Sequence, residues 1–164
     1  MISIVTECDT VIRSGKVNCP QRGPTLPALR FGSSEGAEMP TVLIVDDYAA
    51  VRKTLRTLLE TASGSVVFIE AVNGLDAIAK AKVFCPDLII LDLCMPEMNR
   101  FEAAAVLQKT MPQVPLFMFT SHQSRDVESQ AASAGIRAVF SKQTDINALV
   151  AQASELLSPC HALG

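Results

Sequence analysis

From residue 40 onward the chain alternates short apolar runs with amphipathic stretches, and this alternation constrains its fold more than any other feature. The apolar runs fall at 42–45, 66–69, 88–91, 116–119 and 138–140. Continuous apolar runs of about four to eight residues read as strands covered on both faces, the mark of a parallel sheet. The stretches between them carry helical periodicity. Val51, Leu55, Leu58 and Leu59 recur at i, i+4, i+7 and i+8, which is one helix face. Asn73 is placed to cap a helix that runs to about Phe84 and is ended by Pro86. Residues 99–110 read as helical and stop at Pro112. Val127, Ala131 and Ala134 mark a further face, with Gly135 as its C′ residue. The clearest stripe is Ile146, Leu149, Val150, Ala153, Leu156 and Leu157, with Thr144 as N-cap.

The sum is (βα)5. Crossovers between parallel strands are right-handed, so the expected architecture is an α/β doubly wound, five-stranded parallel sheet of the flavodoxin-like type, in strand order 2-1-3-4-5. In such sheets ligands bind beyond the carboxyl ends of the strands. That rule gives the polar residues following the apolar runs their interest. TVLIV at 41–45 runs into Asp46 and Asp47, and DLIIL at 87–91 runs into Asp92. PLFMF at 115–119 runs into Thr120, and AVF at 138–140 leads into Ser141 and Lys142. Three carboxylates suit a hard cation; a hydroxyl and an ammonium suit phosphoryl oxygens.

Each residue also has a plainer reading. Asp46 and Asp47 serve equally as a helix-capping acid beside a solvated one, and two adjacent acids repel unless a cation relieves them. Asp92 is a turn cap, a metal ligand or a nucleophile able to form an acyl phosphate. Thr120 is a turn hydroxyl or a hydrogen-bond donor to a phosphoryl oxygen, with Ser121 as its rival. Lys142 is a generic surface charge or a phosphate partner. Strands 1 and 3 are neighbours in the expected order, so Asp92 and the Asp46–Asp47 pair face one crevice. Cys94 with His122 offers a thiol–imidazole pair, but nothing supplies an orienting third group. No glycine-rich phosphate loop follows the first strand.

The 164 residues fit one domain, and a 49% hydrophobic composition supplies a core. Net charge −3 and the lack of a basic stripe argue against nucleic acid as a partner. Arg52, Lys53 and Arg56 read as a solvated helix face. Five cysteines, an odd number with no C-x-x-C spacing, suggest neither a zinc site nor a disulfide framework. No signal peptide and no membrane span are evident, so the expected setting is cytoplasmic and reducing. Residues 1–38, rich in Pro, Gly and Ser, read as a disordered or loosely attached extension, with the functional chain starting at Met39. Residues 39–158 form the domain and 159–164 a short tail, with no room for an output domain.

The motifs VLIVDD at 42–47, LIILDLCMPEMN at 88–99, FMFTSH at 117–122 and AVFSK at 138–142 together resemble the receiver domain of two-component response regulators. The resemblance covers about residues 40–158. It implies that Asp92 is the phosphoacceptor and that Asp47 binds Mg²⁺ directly, with Mn²⁺ as a substitute. It also implies that Asp46 supports the cation partly through water, and that the backbone carbonyl of Cys94 completes the protein ligands. Thr120 and Lys142 would engage the phosphoryl group. The donor would be a sensor histidine kinase or phosphotransfer protein docking near Tyr48 and Arg52. Output would pass through the face of helix 4, strand 5 and helix 5 to a partner protein or a second copy. Such a stand-alone domain transfers phosphate to itself and is no enzyme, apart from slow autodephosphorylation, which Cys94 and His122 would tune.

Three departures from the family pattern matter. Arg100 stands where Gly is usual, Gln143 where Pro is usual, and Val139 where the switch aromatic is usual. A trans Lys142–Gln143 bond is expected, since cis costs a non-proline residue about 2.5–4 kcal/mol. Phe140 should point to the opposite strand face from Val139. These departures motivate an alternative, a non-switching pseudo-receiver serving as a protein-interaction module. A phosphoryl-handling hydrolase is a third reading, weakened by the absence of a second acid two residues after Asp92.

Overall fold

A computed structural model describes residues 39–93 and 101–158. Five strands and five helices alternate: β1 (Thr41–Val45), α1 (Ala49–Ser63), β2 (Val67–Ala71), α2 (Gly74–Phe84), β3 (Leu88–Leu91), α3 (Glu102–Thr110), β4 (Leu116–Thr120), α4 (Arg125–Ser133), β5 (Ala138–Ser141) and α5 (Ile146–Leu157). All strand pairs are parallel, in the order β2-β1-β3-β4-β5. The expected architecture is therefore the observed one.

The central strands β1, β3 and β4 are almost wholly apolar because both faces are covered, and alternate residues serve the two layers. Leu43, Val45, Ile89, Leu91 and Met118 pack with Ala77 and Ala81 of α2, Ala103, Ala104 and Leu107 of α3, and Val127 and Ala131 of α4. Val42, Ile44, Ile90, Phe117, Phe119 and Phe140 pack with Leu55 and Leu59 of α1 and Leu149, Ala153 and Leu157 of α5. Phe140 meets Phe117 edge-on at 5.2 Å, while Val139 packs into the opposite layer. The two residues thus point to opposite strand faces, as expected.

Several local readings hold at atomic level. Asn73 caps α2, its Oδ1 accepting from the Asp76 N–H at 2.8 Å. Gly135 follows α4 at φ 76°, the left-handed conformation a C′ residue needs. Among the described residues no peptide bond is cis, the Lys142–Gln143 bond included.

Others are corrected. The second strand lies at Val67–Ala71, not 66–69, because Glu70 is part of it. An acid ends an apolar run in sequence, yet here it sits on the α1 face and pairs with Arg52. The N-cap of α5 is Asp145, not Thr144, whose hydroxyl instead donates to Asp145 Oδ1. Helix α3 begins at Glu102; residues 99 and 100, the expected start, lie outside the described residues. Leu58 is only half-buried on α1. Cys85 is disulfide-bonded, against the expectation from cysteine spacing. Spacing along a chain does not report which thiols a fold brings within reach. The extension 1–38, the tail 159–164 and the expected anomaly at Arg100 lie outside the described residues.

Candidate functional site

The carboxyl ends of β1, β3, β4 and β5 carry Asp46, Asp92, Thr120 and Lys142, and ladder hydrogen bonds fix their backbones. The Asp46 N–H donates to Ala71 O at 3.1 Å, Asp92 N–H to Val45 O at 2.9 Å and Lys142 N–H to Thr120 O at 2.9 Å. Each residue is thus held by the strand beside its own, which is how a parallel sheet brings residues distant in sequence to one edge.

Burial separates the acids. Asp46 is 1% exposed and Asp92 2%, whereas Asp47 lies at the surface. One carboxylate oxygen from each of the three lies within 4.8 Å of the others. Lys142 Nζ enters between the buried pair, 2.6 Å from Asp46 Oδ2 and 2.8 Å from Asp92 Oδ2. The Asp92 contact is a hydrogen bond. The Asp46 contact is an ion pair lacking hydrogen-bond geometry, which leaves Asp46 Oδ2 buried without a directed donor. The other Asp46 oxygen, Oδ1, accepts from the Tyr48 N–H at 2.9 Å.

The electrostatics follow from these contacts. Burial raises the Asp46 carboxyl above its ordinary range, outweighing the Lys142 and Tyr48 contacts that act the other way. Burial works to lower the Lys142 ammonium, but its close contacts with the Asp46 and Asp92 carboxylates prevail and hold it above its ordinary value. Lys142 therefore stays charged at neutral pH.

Three acidic oxygens gathered this closely, two from buried residues and one from an exposed one, form a donor set suited to a hard divalent cation. Mg²⁺ takes oxygen ligands and retains several waters, so an open site with few protein ligands suits it. The remaining expected ligand, the Cys94 carbonyl, lies outside the described residues. Thr120 is fully buried, its Oγ1 accepting from the His122 N–H at 3.2 Å, while the rival Ser121 is exposed.

Arg52 departs most from its reading as a solvated charge. Its side chain is 11% exposed; Nε donates to Glu70 Oε2 at 2.8 Å and Nη1 to the Asp46 carbonyl oxygen at 2.7 Å. Arg56 is exposed, as expected, though it pairs with Glu60 and lies over the Phe68 ring. Only Glu70, an acid inside an otherwise apolar strand, could have signalled the Arg52 bridge in sequence. Tyr48, 66% exposed beside the acids, remains a surface feature of this end of α1.

Known proteins share the fold. Residues 42–154 match the family model of the response regulator receiver domain. The response regulator protein VraR of Staphylococcus aureus is 38% identical over 103 residues, covering 63% of this chain and 49% of the relative. The chain thus spans about half the length of the curated relatives it matches. The Vibrio cholerae chemotaxis protein CheY4 superposes with a TM-score of 0.64 at 26% identity, covering 73% of this chain and 99% of that one. A LuxR-family two-component response regulator from Aurantimonas sp. SI85-9A1 gives a TM-score of 0.67 at 27% identity, covering 73% and 85%. No helix among the described residues is long and apolar enough to cross a membrane. With the strand order, the acids at the ends of β1 and β3 and the lysine after β5 all in the matched region, this chain belongs to the response regulator receiver domain family.

Proposed function

We propose that this receiver domain accepts a phosphoryl group on Asp92 from a phosphohistidine of a sensor kinase or phosphotransfer protein. The observation that carries the reading is the buried Asp92 carboxylate, held 2.8 Å from the Lys142 ammonium beside two further acids. In the step, an Asp92 oxygen attacks phosphorus; an O–P bond forms as the P–N bond to the donor imidazole breaks. The imidazole leaves with the electron pair, and the product is an acyl phosphate. Lys142 neutralises the nucleophile's neighbourhood and lies within reach of the charge that arrives on the phosphoryl oxygens. Asp46, Asp47 and Asp92 would hold Mg²⁺ or Mn²⁺, which when bound supplies positive charge to those oxygens. Thr120 has the hydroxyl to hydrogen-bond one of them. Hydrolysis of the acyl phosphate restores Asp92, so the chain is substrate and catalyst of its own modification and turns over nothing else. A phosphohistidine donor is made with ATP, which fits a cytoplasmic site of action. Tyr48 offers the donor an exposed contact, whereas Arg52 is occupied.

Phosphorylation would bias an existing equilibrium of the α4–β5–α5 face toward a form that binds an output protein or a second copy. The half-buried Val139, where no aromatic ring can rotate, favours a second reading, a non-switching pseudo-receiver that serves as a protein-interaction module. Incubation with Mg²⁺ and acetyl phosphate, read by intact mass, tests the first reading. A transient adduct of one phosphoryl group that is absent in Asp92→Asn supports it. No adduct from any donor supports the second reading, and rapid turnover without adduct indicates a hydrolase.

A further inference from the structure

Asp46 and Asp92 are held from several directions, but no partner among the described residues holds the Asp47 carboxylate. Its aim therefore depends on its backbone. The peptide that joins Asp46 to Asp47 contains the Asp46 carbonyl, and that oxygen accepts the 2.7 Å hydrogen bond from Arg52 Nη1. Arg52 cannot swing freely, because its Nε is bound to Glu70 Oε2 at 2.8 Å and its side chain is nearly buried between α1 and β2. A guanidinium presents these two donors in a rigid plane. One side chain thus ties the first turn of α1, the edge strand β2 and the turn bearing the acids into a single unit.

We propose that Arg52, braced by Glu70, is a positioning residue for the cation site: it fixes the Asp46–Asp47 peptide so that the Asp47 carboxylate converges on Asp92. The inference rests on the cation reading of the three acids given above. A bridge of this kind acts as the outer partners of metal ligands do, and loss of such partners commonly costs about 10–100-fold in metal affinity. Lysine keeps the charge but offers one compact donor head, so it can reach the carbonyl or Glu70 but not brace the two together. Glu70→Gln keeps an acceptor for Nε and should have little effect, whereas Glu70→Ala removes the brace.

Mn²⁺ binding to the full chain, followed by electron paramagnetic resonance of the free ion, tests this in the absence of any phosphoryl donor. The expected order of affinity is parent and Glu70→Gln, then Arg52→Lys, then Glu70→Ala and Arg52→Leu, the last about 10-fold or more weaker than the parent. In acetyl phosphate reactions the Mg²⁺ concentration for half-maximal rate should rise by the same factor, while the rate at saturating Mg²⁺ stays near that of the parent. A general loss of structure would instead lower the saturating rate. Parent-like affinity in Arg52→Leu overturns the proposal while leaving the cation site standing. Absence of Mn²⁺ binding by the parent chain overturns both. Should Arg52→Leu not fold, Glu70→Ala against Glu70→Gln decides the question, and equal affinities in that pair overturn it.

Discussion

Replacing Lys142 with Met removes the ammonium lying 2.6 Å from Asp46 and 2.8 Å from Asp92 while keeping much of the side chain's apolar length. The carboxylates left behind are 1% and 2% exposed, with oxygens no more than 4.8 Å apart. Two like charges at that 4.8 Å separation repel by about 3.5 kcal/mol at an effective dielectric constant of about 20. Deleting one partner from a buried ion pair costs about 3–5 kcal/mol by a separate route, the desolvated charge that remains. The two figures describe overlapping effects and are not added. The expected loss in EDTA near neutral pH is therefore about 3–5 kcal/mol.

The loss should be conditional. A carboxyl that takes a proton stops repelling, and Asp46, already raised by burial, is the acid placed to take it. Acidification toward the raised Asp46 value should thus shrink the difference between variant and parent. A divalent cation supplies the missing charge in another way, so Mg²⁺ should stabilise Lys142→Met more than it stabilises the parent. Urea unfolding in EDTA and in Mg²⁺, at neutral and at acid pH, measures all of this. Equal midpoints for variant and parent in EDTA at neutral pH would refute the electrostatic account, as would a deficit unmoved by both acid and Mg²⁺.

Asp46 held above its ordinary range keeps its proton to higher pH in the native state than in the unfolded chain. Stability should then fall as pH rises from the ordinary carboxylate range through the raised value, and Asp46→Asn should remove that slope in a pH series of urea unfolding. Lys142, also raised, acts with the same sign at the alkaline end: its contribution is complete below the ordinary ammonium range and is lost as pH rises through the raised value, so Lys142→Met should lack that alkaline loss. Phe140→Ala, which empties a 4% exposed site packed edge-on against Phe117, should cost about 3–5 kcal/mol in the same assay. Asn73→Ala deletes the side-chain cap of α2 and should cost about 1 kcal/mol.

The order of elements and the set of strand-end residues were legible because both follow from periodicity. A parallel strand covered on both faces must be apolar along its length, so its end is visible as the first polar residue. Asp46, Asp92, Thr120 and Lys142 stand out for that reason. The same rule misplaced β2, where Glu70 lies within the strand and is neutralised by a residue 18 positions earlier. A charge whose partner comes from another element cannot be seen in a window of sequence. Arg52 was misread for the same reason, since an arginine beside the exposed Lys53 and one turn before Arg56 looks solvated. At the start of α5, Thr144 and Asp145 are both good caps by type. The choice fell to Asp145 because its Oδ2 accepts from the Ser141 N–H at 3.0 Å, a contact that depends on how β5 ends.

That last contact bears on how a signal would leave the site. Lys142 is the residue through which charge arriving at Asp92 would pull on β5, and its neighbours divide unequally between the two layers. Toward the layer of α4, the strand offers Val139, a side chain with little shape to rotate. Toward α5 it offers Phe140, locked against Phe117, and a set of short bonds. Ser141 N–H reaches Asp145 Oδ2 at 3.0 Å, Asp145 N–H returns to Ser141 O at 3.0 Å, and Gln143 N–H reaches Ser141 Oγ at 3.2 Å. Among the described residues, a displacement of Lys142 is therefore coupled through hydrogen bonds to the N-cap of α5, and toward the α4 layer through the apolar Val139. On the proposed reading, the α5 end of the output face is where phosphorylation should register first. On that reading, the absence of an aromatic at 139 would change the route of the signal, whereas a non-switching module would show no response in α5.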